Sequence, residues 1–178
     1  RGPLEDVSHR LLECARKHDW DFVVRINGDN LFADPDTLHA MLAIAGTNAY
    51  DLITNVPGRT FPYGMSIEII RVAFFQDLMP KIQDPAHREH VTLWLYENTH
   101  VGKRFVYENT CCPEAAGLHF ALDTPEDFQR LSAVIDRMDR PAATYGLADI
   151  VRFAAAPEKP SPWQGKCGPL LIAEIGGN

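Results

Sequence analysis

Two aspartates stand where an α/β protein could do phosphate chemistry. Asp29 follows a short β-branched run in Val23-Val-Arg-Ile-Asn-Gly-Asp-Asn30, and Asp123 follows another in Leu118-His-Phe-Ala-Leu-Asp123. In open α/β sheets ligands sit beyond the carboxyl ends of the strands. A carboxylate there can hold a hard divalent cation through oxygen. Each aspartate also has a plainer reading. Gly28-Asp29-Asn30 suits a tight turn, and Asp123 with Thr124, Glu126 and Asp127 suits a helix start stabilised by caps and the helix dipole. Two strand-end aspartates in one domain point toward a shared Mg²⁺ site, because Mg²⁺ usually takes one or two carboxylates plus substrate phosphates.

Two further segments carry reactive side chains. Arg59-Thr-Phe-Pro-Tyr-Gly-Met-Ser-Ile-Glu68 places an arginine, two aromatics and a glycine close together. That set suits a sugar or carboxylate, since arginine can bind a carboxylate with two parallel hydrogen bonds; it equally suits an ordinary Pro/Gly loop with aromatic anchors. Asp84-Pro-Ala-His-Arg-Glu-His-Val-Thr92 holds two histidines three residues apart. The spacing is not that of a zinc protease helix, and a solvated helix start explains it. Cys111 and Cys112 are adjacent, and neither Cys14 nor Cys167 completes a metal-type pair. Reduced thiols in a cytoplasmic protein are the expectation. Dinucleotide-binding, Walker and nucleophile-elbow patterns are absent.

The elements that must position these groups read as α/β. Leu4 to His18 has helical apolar spacing, Asp21 to Ile26 reads as a strand, and Asp34-Pro35 opens a helix that ends at Gly46. Asp51 to Thr54 is a second strand, so strand, helix and strand suggest a βαβ unit with a parallel sheet. Ser66 to Arg71 is strand-like, and 73–82 and 84–98 are expected as helices. Strands follow at 105–107 and 118–122, then helices from Asp123 to about Met138 and from Leu147 to Ala156. Residues 157–169 hold Pro157, Pro160, Pro162 and Pro169, the composition of a stiff linker.

The chain has 178 residues, 46% hydrophobic and 23% charged, with a formal net charge of −7. A disordered or fibrous protein is excluded by this balance. No apolar run approaches the roughly 18 residues of a membrane span, so no membrane partner is expected. A net acidic chain argues against a nucleic-acid partner, which needs a basic face.

Taken in order, these segments resemble the cytidylyltransferases of the spore-coat-polysaccharide and acylneuraminate type. The matching segments are Arg1-Gly2 with Glu5-Asp6-Val7 and Arg10, Val23 to Asn30 with Asp34-Pro35, Thr54-Asn55-Val56, Arg59 to Gly64 and Glu68. Asp84-Pro85, Arg88-Glu-His-Val-Thr92 and Leu122-Asp-Thr-Pro-Glu-Asp-Phe128 complete the set. The resemblance implies a nucleotide-sugar-transferase-like, doubly wound α/β fold with a mostly parallel sheet. It implies CTP and a sugar acid as substrates, Mg²⁺ as cofactor, and a CMP-sugar and pyrophosphate as products. Asp29 and Asp123 match the family's metal-binding aspartates, so they are the expected catalytic and metal residues. Arg25, Asn30, Asn55, Arg59, Tyr63, Glu68, Arg88 and His90 are the expected substrate contacts.

The family opens with a strand and a Gly-rich basic loop that grips the triphosphate, and neither has a match here. The expectation is therefore a cytidylyltransferase-like domain over 1–156 without its leading strands, then a linker over 157–169. The segment at 170–178, Leu-Leu-Ile-Ala-Glu-Ile-Gly-Gly-Asn, resembles the first strand of a sialic acid synthase-like barrel. That implies a fused synthase domain in the parent chain and a nonulosonic acid as substrate. A sheet lacking its leading strands exposes an edge that invites another chain, so the isolated segment is expected to aggregate and the protein to form a homo-oligomer. Two other readings stay open: a non-catalytic scaffold of the same fold, and a different nucleotide or sugar.

Overall fold

A computed structural model describes residue 3 and residues 5–155. The expected linker over 157–169, the expected barrel strand over 170–178, Cys167 and the Arg1-Gly2 match lie outside the described residues. Seven α-helices and four strands follow one another among the described residues: α1 (Val7–Lys17), β1 (Phe22–Arg25), α2 (Pro35–Gly46), β2 (Leu52–Thr54), β3 (Glu68–Arg71), α3 (Val72–Leu78), α4 (Pro85–Glu89), α5 (Leu93–Glu97), β4 (Arg104–Val106), α6 (Pro125–Ile135) and α7 (Leu147–Ala155).

The helix starts follow from their caps. The Asp6 carboxylate accepts from the His9 amide of α1, and Asp34 precedes Pro35 at the first position of α2. Thr124 and Asp127 form a reciprocal capping box at α6, with Pro125 in its first turn. The anticipated single helix over 84–98 is instead two short ones. His90 breaks it with φ −94° and ψ 58°, which turns Val91 and Thr92 into the interior. The helix expected over 73–82 ends at Leu78 and tightens into a 3₁₀ turn through Met79–Lys81, which carries Pro80.

The four-stranded sheet has the order β1-β3-β2-β4. Strands β1, β2 and β4 run one way, and β3 runs back between β1 and β2, antiparallel to both. The βαβ reading is therefore corrected in one respect: β1 and β2 share a direction but do not touch. β3 holds the central position because its apolar residues are buried on both sides, as are those of β2. The strand expected over 118–122 forms no ladder. It makes one bridge to each of two loops, Tyr63 with His119 and Asn30 with Ala121.

Helices cover both sheet faces. Val23, Leu52 and Ile70 pack under α1 and α3 with Phe75, Val91 and Leu95. Ile53 and Ile69 face the other way, onto Met41 and Ala45 of α2. A third cluster joins Phe61, Met65 and Phe120 to α6 and α7 through Leu131, Val134 and Ile150. Fully burying each such Leu, Ile or Phe contributes about 1.5–3 kcal/mol.

Asp34 ties two of these layers together. It is 6% exposed; one oxygen accepts from the Thr37 amide (2.9 Å) and the other from the Leu147 amide at the start of α7 (3.0 Å). Asp34→Ala removes a cap and leaves a buried amide unpaired, so we expect it to lower stability by about 2–3 kcal/mol. Urea denaturation measures this; a loss under about 0.5 kcal/mol would refute the double-cap account.

Candidate active site

The chain leaves the end of β1 through a tight turn, with the Asn30 amide donating to the Asn27 carbonyl (3.0 Å). Asn30 then works in two directions. Its side-chain amide donates to the Ser66 carbonyl (3.1 Å), and its backbone bridges to Ala121. The Leu122 amide donates to the Asp29 carbonyl (3.1 Å). These bonds place the Asp29 backbone beside Leu122, the residue before Asp123. Asp29 is half-buried, and its Oδ1 is buried with no hydrogen-bond partner. An orphaned carboxylate oxygen is donor chemistry that suits a hard cation, and the segment beside it carries a second, exposed aspartate.

His119 enters this group unanticipated. Its Nε2 lies 3.6 Å from the Asp123 carboxylate and its Nδ1 3.8 Å from Asp127. Ligand atoms of His119, Asp123 and Asp127 all lie within 4.8 Å of one another. Asp127 is already committed: it caps α6 and pairs with Arg130. The Arg130 bond first, and then the Thr124 hydroxyl, hold its carboxyl down at about 2. Asp29 is not part of this cluster; what it offers is an unpartnered carboxylate oxygen on the neighbouring backbone segment.

The loop after β2 lies against the same segment. The Arg59 guanidinium sits 3.9 Å from the Tyr63 ring centre, and Tyr63 stacks on His119 at 5.8 Å. Gly64 makes this contact possible. It has φ +83°, and a Cβ there would lie 2.1 Å from the Ala121 nitrogen. Both the conformation and the close approach require glycine. Asn55 is buried, donating to the Met65 carbonyl (2.9 Å) and accepting from the Ile67 amide (2.8 Å). The structure gives it the task of shaping this loop.

A polar row crosses the sheet nearby. Arg25, Glu68 and Thr54 are aligned by register on β1, β3 and β2. Glu68 is 2% exposed and accepts from Arg25 on one oxygen and from the Tyr96 hydroxyl on the other. Burial first, and then the Glu68 charge, push the Tyr96 hydroxyl pKa far up, so it stays a donor. Thr92 also contacts Arg25, at 3.5 Å. Arg88 is drawn away, to the Asp6 carboxylate (3.0 Å) and the Ile82 carbonyl (2.9 Å), where it joins α4 to α1. His90 is exposed at the end of α4.

A solved cytidylyltransferase structure from Leptospira borgpetersenii superposes with a TM-score of 0.79 at 28% identity, over 85% of this chain and 63% of that one. The chain has the cytidylyltransferase fold. No family model matches it. Among curated proteins it is similar to the spore coat polysaccharide biosynthesis protein SpsF of Bacillus subtilis, 26% identical over 77% of this chain and 56% of that protein. It is also similar to an uncharacterized protein of Methanocaldococcus jannaschii, 26% identical over 72% of this chain and 52% of that protein. The chain thus spans about half the length of these curated relatives.

Within the cytidylyltransferase fold, Asp29, Asn30, Arg59, Tyr63 and Asp123 gather at one end of the sheet. In the sheet, buried Glu68 pairs with half-buried Arg25, and Arg88 belongs to a helix junction. Tyr96, Thr92 and His119 were not singled out from sequence, because nothing local marks them; only the fold brings them to their partners. No described helix is long and apolar enough to cross a membrane.

Two outcomes follow from this geometry. Gly64→Ala should cost more than about 3 kcal/mol, combining a left-handed backbone with an overlap that only backbone movement relieves; a thermal melt within a degree or two of the parent would contradict it. Asp127 has a depressed folded-state pKa, so its stabilising bonds are complete above the ordinary carboxyl range and are lost as pH falls through about 2. A carboxyl-resolved NMR titration should find its midpoint at about 2, and a midpoint near 4 would refute the Arg130 pairing.

Proposed function

We propose that the protein is a nucleotidyltransferase that transfers CMP from CTP to a sugar acid, releasing pyrophosphate, with Mg²⁺ as cofactor. The observation that carries this reading is the pairing of the Asp29 segment with the Asp123 segment, with a buried oxygen of Asp29 left without a partner. The likeness to a cytidylyltransferase structure supports the reaction class, and the likeness to a spore coat polysaccharide biosynthesis protein supports a role in glycan synthesis.

Asp29 and Asp123 would hold the cation. When bound, it neutralises charge on the nucleotide phosphates. The protein's own work is then positioning. Asn30 and Gly64 fix the two aspartate-bearing segments against each other, and the His119 ring stands 3.6 Å from the Asp123 carboxylate. The Arg59–Tyr63 stack on the rim offers a flat apolar face and a cation to a sugar. A hydroxyl of the acceptor attacks the α-phosphorus, pyrophosphate leaves, and no covalent enzyme intermediate is required.

Full-length protein mixed with CTP, Mg²⁺ and a panel of sugar acids should release pyrophosphate with at least one acid. Asp29→Ala should reduce the rate by at least about 100-fold, the scale of a lost electrostatic anchor. Release from no acid, or an Asp29→Ala protein as fast as the parent, would refute the reading; a non-catalytic domain of this fold would give the first result.

A further inference from the structure

Glu68 is a carboxylate in the middle of the sheet, 2% exposed, and its burial without compensation would cost several kcal/mol. Its two carboxylate oxygens are met by two different side-chain donors. Arg25 reaches one oxygen, and the Tyr96 hydroxyl reaches the other. Tyr96 is held in turn by the Thr54 hydroxyl at 2.8 Å, and that same hydroxyl oxygen accepts from the Val56 amide at 3.1 Å. The chain of bonds therefore runs from the base of the loop carrying Arg59 and Tyr63 to the guanidinium of Arg25.

Arg25 spends only part of its capacity. Its bonds to Glu68 and to Thr92 both use Nη1. Nε and Nη2 have no partner among the described residues, and the side chain keeps 20% of its surface open. Those two nitrogens form the side-on fork of a guanidinium, whose spacing matches a carboxylate in a bidentate pair. Arg25 also ends β1, four residues before Asp29. By contrast, the Arg59 guanidinium carbon lies over the Tyr63 ring, 3.9 Å from its centre.

We propose that Arg25 binds the acceptor's carboxylate on its free Nε–Nη2 edge, and that Tyr96 is a positioning residue that aims this edge by occupying the second oxygen of Glu68. The assignment rests on the sugar-acid reading above. Without the Tyr96 hydroxyl, both Glu68 oxygens turn to Arg25, and the fork is drawn inward, away from substrate. Glu68 then acts by holding Arg25 and does not touch the acceptor.

The test compares parent, Tyr96→Phe and Arg25→Gln full-length proteins. Each is given CTP, Mg²⁺ and the accepted sugar acid, and the binding of the acid is set against that of its analogue with the carboxylate reduced to an alcohol. Tyr96→Phe should raise the KM for the acid about tenfold, with kcat and the KM for CTP within about twofold, the pattern of lost uniform binding. Arg25→Gln should collapse the preference for the acid over the alcohol. A merely structural Tyr96 would lower the melting temperature and the active fraction while leaving that preference and both KM values unchanged, which would overturn the proposal. Catalysis by the parent with an unaltered acid preference in both variants overturns this assignment alone. Failure of the parent to use any acid overturns the sugar-acid reading, and this assignment with it.

Discussion

The candidate site depends on three backbone segments meeting where only glycine fits. The turn after β1, the loop after β2 and the extended stretch before α6 converge at Gly64, Asn30 and Ala121. They are far apart in sequence, and no ladder joins them. Single bridges and one side-chain amide do the joining. The 2.1 Å that would separate a Cβ from a neighbouring backbone nitrogen measures how little room the meeting leaves. Once it is made, the Asp29 backbone lies beside Leu122, and His119 and Tyr63 stack as a consequence.

Charge in this region is sorted by depth. On the rim, Asp123 and His119 are substantially exposed, and their attraction is weak and adjustable. Deeper, Asp127 is saturated by a capping box and an arginine. In the sheet itself, Glu68 is enclosed by donors. A buried pair of this kind rarely adds stability over apolar packing, because desolvation offsets the attraction. Its place across three register-aligned strands fixes the direction of the Arg25 guanidinium.

The local parts of this structure were legible in the sequence. Asp34-Pro35 and Thr124-Pro125 start helices because an Asx or Thr cap and a proline act within four residues. The short β-branched runs became β1, β2 and β3. Nonlocal features were hidden. Nothing near 68–71 says that this strand runs back between β1 and β2. Leu118 to Leu122 has strand composition, yet its partners are two loops, so it never forms a ladder. Residues 84–98 have helical propensity, and the break at His90 comes from burying Val91 and Thr92. Of the residues singled out from sequence, Asn55 and Arg88 have hydrogen-bond partners that are distant in the chain and that nothing local predicts.

The shared carboxylate of Asp34 also bears on the order of folding. It joins the starts of two helices separated by 113 positions. Closing so long a loop carries an entropic penalty that grows slowly with length, but it must be met before the contact is made. The first half of the chain can form α2 with one oxygen of Asp34 while the other stays in water. The second oxygen is then available to cap α7, so the start of α7 among the described residues is tied to a carboxylate set in place by α2.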